Sequence, residues 1–310
     1  MEVTARPGFG TVGQVMALLR ASPTATVDAA RLSDLPAHPA PQRARDHVVI
    51  LASTGQGTHT IDFVTHACRP GTLLWGRPGQ VHQFGGQAGF DATVLAFPPA
   101  TLPALPPLPV RLVADPTAPT CWQPAGEDEE AIVAEIAQIA VDRARSDGSE
   151  LSRALLAHQV AVLLMRIVAL APPARSGPAA DLIDQLRAEI ERDVTHRRVE
   201  DYAERLGCSV RTLTRASLVM TGRSAKQIVD ERIALEAKRL LATSTLPVAE
   251  VGRRLGFDEP TNFGRFFARE TGLTPGAFRA SLLRSPAPPR VPHQRSSLPG
   301  RLAPLAPRTA

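Results

Sequence analysis

Two short stretches of this 310-residue chain carry side chains suited to touching nucleic-acid bases and phosphates. Between Leu206 and Val229 lie Arg211, Arg215, Arg223 and Lys226, with no acidic residue among them. Further on, Thr261, Asn262 and Arg265 share one side of a helical pattern, opposite Phe263, Phe266 and Phe267. Arginine, asparagine and threonine offer donors and acceptors that reach base edges in the major groove, where each base pair shows its own pattern. Taken singly, each arginine reads first as a solvated surface charge, and so does Arg269 beside Glu270. Arg253 and Arg254 suit phosphate contact, which positions a protein without reading sequence.

The elements that must hold these residues are written twice. Residues 199–224 and 248–274 match at an offset of about fifty. The first copy reads Val199, Tyr202-Ala203, Leu206-Gly207-Cys208, Leu213, Arg215, Thr221-Gly222 and Ser224. The second reads Val248, Val251-Gly252, Leu255-Gly256-Phe257, Phe263, Arg265, Thr271-Gly272 and Thr274. Ala203 and Gly252 are small, as two closely crossing helices require. Gly207 and Gly256 supply the positive φ that ends a helix in a tight turn. Ser209 and Asp258 are candidate caps for the following helix, and Val210 and Leu213 are expected to face inward. Each copy therefore predicts a helix-turn-helix. One copy alone is weak, because helix pairs with a turn glycine are common. Two copies joined by a helix over Ala225–Ala242 are far more specific. About eighteen residues at 1.5 Å each span roughly 27 Å, enough to seat two helices in successive major grooves about 34 Å apart.

Upstream the texture differs. His47–Ala52, Thr58–Thr65, Gly71–Trp75 and Ala92–Phe97 read as short strands among turn signals, an antiparallel β domain. Prolines from Pro98 to Pro109 end it. Glu127–Arg145 and Ser149–Leu170 have helical apolar periods and form a hairpin across Ser146-Asp147-Gly148. Their apolar faces suit packing on the β domain, dimerisation, or both. The expected divisions are 1–126 for the β domain, 127–171 for the hairpin, 172–180 for a Pro-rich linker, 181–284 for the helical repeat and 285–310 for a disordered Pro-rich tail. Thr11–Leu19 suggests a short helix. The net charge of +5 is concentrated in the last 130 residues or so, a bias compatible with nucleic acid. Cys68, Cys121 and Cys208 are far apart, which fits free thiols in a reducing compartment and no disulfide framework. Without a basic leader or a run of about 18 apolar residues, a cytoplasmic chain with no membrane span is expected.

Residues 181–283 resemble the tandem helix-turn-helix domain of AraC/XylS-type regulators. The resemblance rests on Arg232-Ile233, Ala237, Leu240-Leu241, Val248-Ala249-Glu250-Val251, Gly256-Phe257, Phe263, Arg265-Phe266-Phe267 and Gly272-Leu273-Thr274-Pro275-Gly276-Ala277-Phe278-Arg279. It implies that double-stranded DNA is the partner, read by Arg211, Thr214 and Arg215 in the first unit and by Thr261, Asn262 and Arg265 in the second. Ser217, Val219 and Gly252 depart from the family pattern. Residues 57–63, 70–74 and 77–84 resemble the cupin-like sensor domain of the same family, which implies a small-molecule effector, a homodimer through the helices at 127–170, and room for contact with RNA polymerase. The fold class expected is α+β multidomain: an N-terminal cupin-like antiparallel β-barrel with a helical hairpin, then an all-α tandem helix-turn-helix domain. The function that the resemblance implies is a sequence-specific transcriptional regulator.

Cupin-like barrels also house metal enzymes. Pro78-Gly79 with His82 resembles the second cupin motif, but His59 is followed by Thr60 and Ile61, with no histidine pair or glutamate at ligand spacing, and His66 stands alone. Three or four convergent ligands are required, so no metal, cofactor or enzymatic activity is expected. His59, Asp62 and His82 are the candidate effector contacts; His59 and Asp62 equally suit a strand end in solvent. The competing readings are a metal-dependent cupin enzyme fused to a DNA-binding domain, and a DNA organiser indifferent to sequence.

Overall fold

The computed structural model describes residues 27–35, 40–85, 89–102, 118–171, 177–195 and 198–283. The helix suggested at Thr11–Leu19 and the tail expected to be disordered lie outside them. Among the described residues nine strands form two antiparallel sheets. They are β1 (Asp28–Arg31), β2 (Gln42–Arg43), β3 (His47–Thr54), β4 (Gly57–Ile61), β5 (Val64–Cys68), β6 (Leu73–Gly76), β7 (Val81–Phe84), β8 (Asp91–Phe97) and β9 (Cys121–Trp122). The orders are β1-β8-β3-β6-β9 and β2-β7-β4-β5. The cupin-like domain is thus two facing sheets, not one closed cylinder.

Strand β3 is buried on both sides from His47 to Ala52 because it lies between two layers. Val48, Ile50 and Ala52 face the second sheet with Ile61, Cys68, Leu74 and Val94. Val49 and Leu51 face the helices α1 (Glu127–Arg145) and α2 (Glu150–Ala169), where Ile132, Ile136, Ile139, Val160, Leu163 and Ile167 meet Trp75 and Phe97. Packing on the β domain is therefore what the inner faces of the hairpin do. Among the described residues α2 alone has the length and hydropathy of a membrane span. Its inner side is occupied by the sheet, and Arg153, His158, Gln159 and Arg166 interrupt the rest. Its outer side carries Leu151, Leu155, His158, Val162, Met165 and Ala169, spaced alternately by four and three; Leu151 is 80 % exposed.

One expected strand divides. Thr58–Thr65 is the end of β4, a two-residue turn at Asp62-Phe63, and the start of β5, with Ile61 paired to Val64. Both turn residues have positive φ, 48° and 68°. Such turns are normally built from Asn, Asp and Gly. For a bulky residue such as Phe63 the left-handed region costs about 1–2 kcal/mol.

The helical part holds α3 (Pro178–Arg192), α4 (Val199–Arg205), α5 (Val210–Thr221), α6 (Ala225–Thr243), α7 (Val248–Arg254), α8 (Pro260–Thr271) and α9 (Pro275–Leu283). The expected linker overruns: α3 begins at Pro178, where the fixed φ of proline suits a first helical position. Ser209 caps α5 through the Thr212 amide, and Ser224 opens α6 with a capping box. Asp258 is not a cap; Glu259 precedes α8, with Pro260 starting it. Val210 is 37 % exposed and does not face inward. Gly252 sits so close to Phe263 that a Cβ there would lie 3.0 Å from the Phe263 Cβ. Phe263 and Phe267 are fully buried in the core shared by both units. Phe267→Ala should lower the stability of the helical part by about 3–5 kcal/mol, read as a fall in its melting temperature; a variant melting with the parent would show that this core tolerates the loss.

Candidate nucleic-acid interface

In each unit a short helix packs behind a longer one. Gly207 and Gly256 turn the chain between them with φ of 63° and 75°, and Gly222 and Gly272 end α5 and α8 in the left-handed conformation. The buried stripe on α5 is Leu213, Ala216 and Ser217, the last bonding its hydroxyl back to the Leu213 carbonyl at 2.8 Å. That on α8 is Phe263, Phe266 and Phe267. These stripes turn the remaining faces outward. Arg211 and Arg215 are exposed on α5 with Thr214 half-buried between them, and Thr261, Asn262 and Arg265 are exposed on α8.

Ion pairing separates the basic residues into two groups. Lys226 reaches Asp230 at 2.6 Å, Arg269 reaches Asp230 at 3.1 Å and Glu270 at 2.7 Å, and Arg254 lies 3.5 Å from Glu250. Arg223 pairs with Glu231, and Arg253 with Glu250. Arg211, Arg215 and Arg265 have no acidic partner among the described residues. These three cations are undiscounted by a neighbouring carboxylate and already turned to solvent. Leu218, one helical turn past Arg215 and half-exposed, shares their face; it escaped sequence reading because an apolar residue at helical spacing looks like core.

The candidate effector residues divide. His59 and His82 are buried between the sheets, with Nε2 of His59 3.0 Å from Nδ1 of His82. The outer nitrogens, Nδ1 of His59 and Nε2 of His82, have no partner. Phe84 lies against His59, ring centroids 4.4 Å apart. Asp62 is elsewhere: its carboxylate leaves the sheets and accepts from Arg239 of α6 at 2.9 and 2.6 Å. This pair does not fit a cupin metal centre. Among the described residues no three His, Cys, Asp or Glu gather as ligands. A metal-bound imidazole also needs an acceptor for its outer N–H, and neither ring has one.

Burial holds His59 well below its ordinary value, with the neighbouring His82 adding to the effect, and takes both His47 and His82 down to about 4. Burial alone would raise the Asp62 carboxyl, but Arg239, the Val81 N–H and the Gln80 amide outweigh it and leave it lowered. Glu236 is lowered likewise by Arg43, Arg232 and Arg239 against its burial. The neutral imidazoles contribute stability above the unfolded value of about 6.5 and lose it as pH falls toward 4; the carboxylates add to the loss only at lower pH. At pH 5, His47 and His82 should each have cost the fold about 2 kcal/mol. Melting temperature should therefore fall steadily from pH 7 to 5, and less so in His82→Gln; a flat profile would contradict the buried neutral assignment.

Residues 202–281 match a family described as a helix-turn-helix domain, and residues 33–120 one described as the AraC-like ligand binding domain. The arabinose operon regulatory protein of Salmonella typhimurium is 25 % identical over 256 residues, covering 77 % of this chain and 85 % of that protein. Its counterpart from Escherichia coli K12 is 49 % identical over 51 residues, 16 % of this chain and 17 % of that one. Among solved structures, ToxT from Vibrio cholerae O395 aligns over 83 % of this chain and 97 % of its own, with a TM-score of 0.43 and 10 % identity.

Proposed function

Because this chain is an AraC-type transcriptional regulator, with a ligand-binding domain ahead of a helix-turn-helix domain, we propose that it reads its operator through Arg211, Thr214 and Arg215 on α5 and Thr261, Asn262 and Arg265 on α8. The observation that carries this is the set of three outward arginines without an acidic partner among the described residues, while the neighbouring cations Arg223, Lys226, Arg253, Arg254 and Arg269 are ion-paired. Arginine forks onto guanine, asparagine onto adenine, and threonine serves either. Leu218 adds an apolar contact suited to a thymine methyl. Arg253 and Arg254, already shared with Glu250, take the phosphate role. The connector α6, 19 residues long, spans about 28 Å, near the repeat of one groove face. The working divisions are a sensor up to residue 126, the hairpin to 171, and a DNA-binding part from Pro178 to 284, acting in the cytoplasm where the DNA lies.

The effector contacts on this reading are His59 and His82, buried between the sheets. Two buried ring nitrogens without a partner suit a small molecule whose polar group donates to one ring and accepts from the other, since the bond between the two imidazoles leaves one outer nitrogen an acceptor and the other an N–H. The outer stripe on α2 suits a second copy of the chain, since positions spaced by four and three form the seam of paired helices.

Selection of bound DNA from a random pool should return one motif. Arg265→Ala should then weaken binding by about 1–3 kcal/mol and relax preference at one or two bases. An equal loss on all sequences would reassign Arg265 to phosphate. Leu151→Glu with Leu155→Glu should halve the mass seen by light scattering; a parent chain already monomeric would remove the dimer from the account.

A further inference from the structure

The strained turn between β4 and β5 has an occupation beyond closing a hairpin. Both of its residues leave the β domain and enter the DNA-binding part. Asp62 takes a bidentate grip from Arg239, a side chain only 2 % exposed, and is held in place by Gln80 at 2.9 Å and the Val81 amide at 3.0 Å. Phe63 packs against the helical core: its ring is 5.4 Å from that of Phe278 on α9, edge to face, with the Lys238 ammonium 5.9 Å from its centroid. A second tie runs alongside, Arg43 of β2 forking onto Glu236 of α6 at 2.6 and 3.0 Å. Glu236 also meets Arg232 at 3.2 Å and Arg239 at 3.5 Å.

The aromatic contact continues inward. Phe278 meets Phe267 of α8 at 5.6 Å, and Phe267 meets Phe263 at 5.9 Å. Those are the residues that seat the helix bearing Thr261, Asn262 and Arg265. On the other side, His82 is paired in register with both Ile61, the residue before the turn, and Gln42, the residue before Arg43. The imidazole between the sheets therefore sits on the strand flanked by both ties. A bulky side chain persists in left-handed backbone only where its surroundings over-determine it, and here those surroundings belong to the other part of the molecule.

We propose that Asp62-Phe63 is an interdomain clasp that braces the second reader, α8, from behind, and that a ligand lodged between the sheets acts on DNA by shifting this clasp. The clasp touches α6, α9 and, through Phe278, α8; among the described residues no ring contact links it to α5. Its state accordingly governs discrimination by the second unit and spares the first. The inference rests on the DNA-reading assignment above, and its test separates the two.

The test uses the full chain with Phe63→Gly and, separately, Phe63→Asn. Both residues suit positive φ, so the hairpin folds while the plug is gone. On the operator selected with the parent chain, every base pair is substituted in turn. Expected is a loss of discrimination of roughly three- to tenfold at base pairs weakened by Arg265→Ala, unchanged discrimination at those weakened by Arg211→Ala, and a larger radius of gyration in solution scattering. Unchanged discrimination throughout, an equal loss in both halves, or an unchanged radius would overturn the clasp. A parent chain that selects no motif would instead overturn the DNA-reading assignment.

Discussion

Both readers hang on one buried stripe of the connector helix. Ala225, Val229, Ile233, Ala237 and Leu241 recur every fourth residue along α6 and are almost wholly buried. Both units pack on this helix, and the shared core fixes where each one sits along it. Interiors packed to crystal density move between discrete arrangements and do not deform smoothly. The other side of α6 carries Arg232, Glu236 and Arg239, which bind α3 and the β domain through Glu191, Arg43 and Asp62. One helix thus divides its circumference between two tasks, apolar toward the readers and ionic toward the sensor.

The ionic side is demanding. Glu236 and Arg239 are buried, and charges withdrawn from water are tolerable only when fully paired. Each carboxylate in the cluster therefore has at least one guanidinium, and each guanidinium at least one carboxylate. Such a network adds little to stability compared with an apolar interface of equal size, but it is selective about geometry. A small displacement of β2 or of the β4–β5 turn breaks hydrogen bonds that water cannot immediately replace.

What the residues disclosed before the fold was seen follows from how loudly each feature is marked. The helical repeat was legible because glycines at 207 and 256 and at 222 and 272 have no substitute at positive φ, and because Leu213, Phe263 and Phe267 keep helical spacing. The helices at 127–145 and 150–169 were legible from their apolar period. The turn at residues 62–63 was not, since Asp-Phe between alternating residues reads as continued strand; only a contact 177 residues away accounts for it. The three candidate effector residues separate for the same reason: His59 and His82 come together between the sheets, while Asp62 turns to Arg239, a partner that nothing near it in the sequence marks. The cap expected from Asp258 yielded to proline, which opens a helix without a capping bond. Neither unpaired arginines nor the apolar outer face of Leu218 carry any mark in the sequence, because pairing is a property of neighbours in space.

The continuity of α6 bears on how such a chain can drift over generations. Each residue added to an α-helix turns everything beyond it by about 100° and advances it by 1.5 Å. A single-codon insertion inside Ala225–Thr243 would swing the second unit a quarter turn or more around the axis, off the groove, and pull Arg239 away from the sheet. Deletions and insertions in this segment are thereby admissible only in whole-turn parcels, whereas point changes on the outward faces of α5 and α8 leave the frame untouched. Descendants of this chain can acquire new operators by substitution far more easily than they can acquire a new spacing.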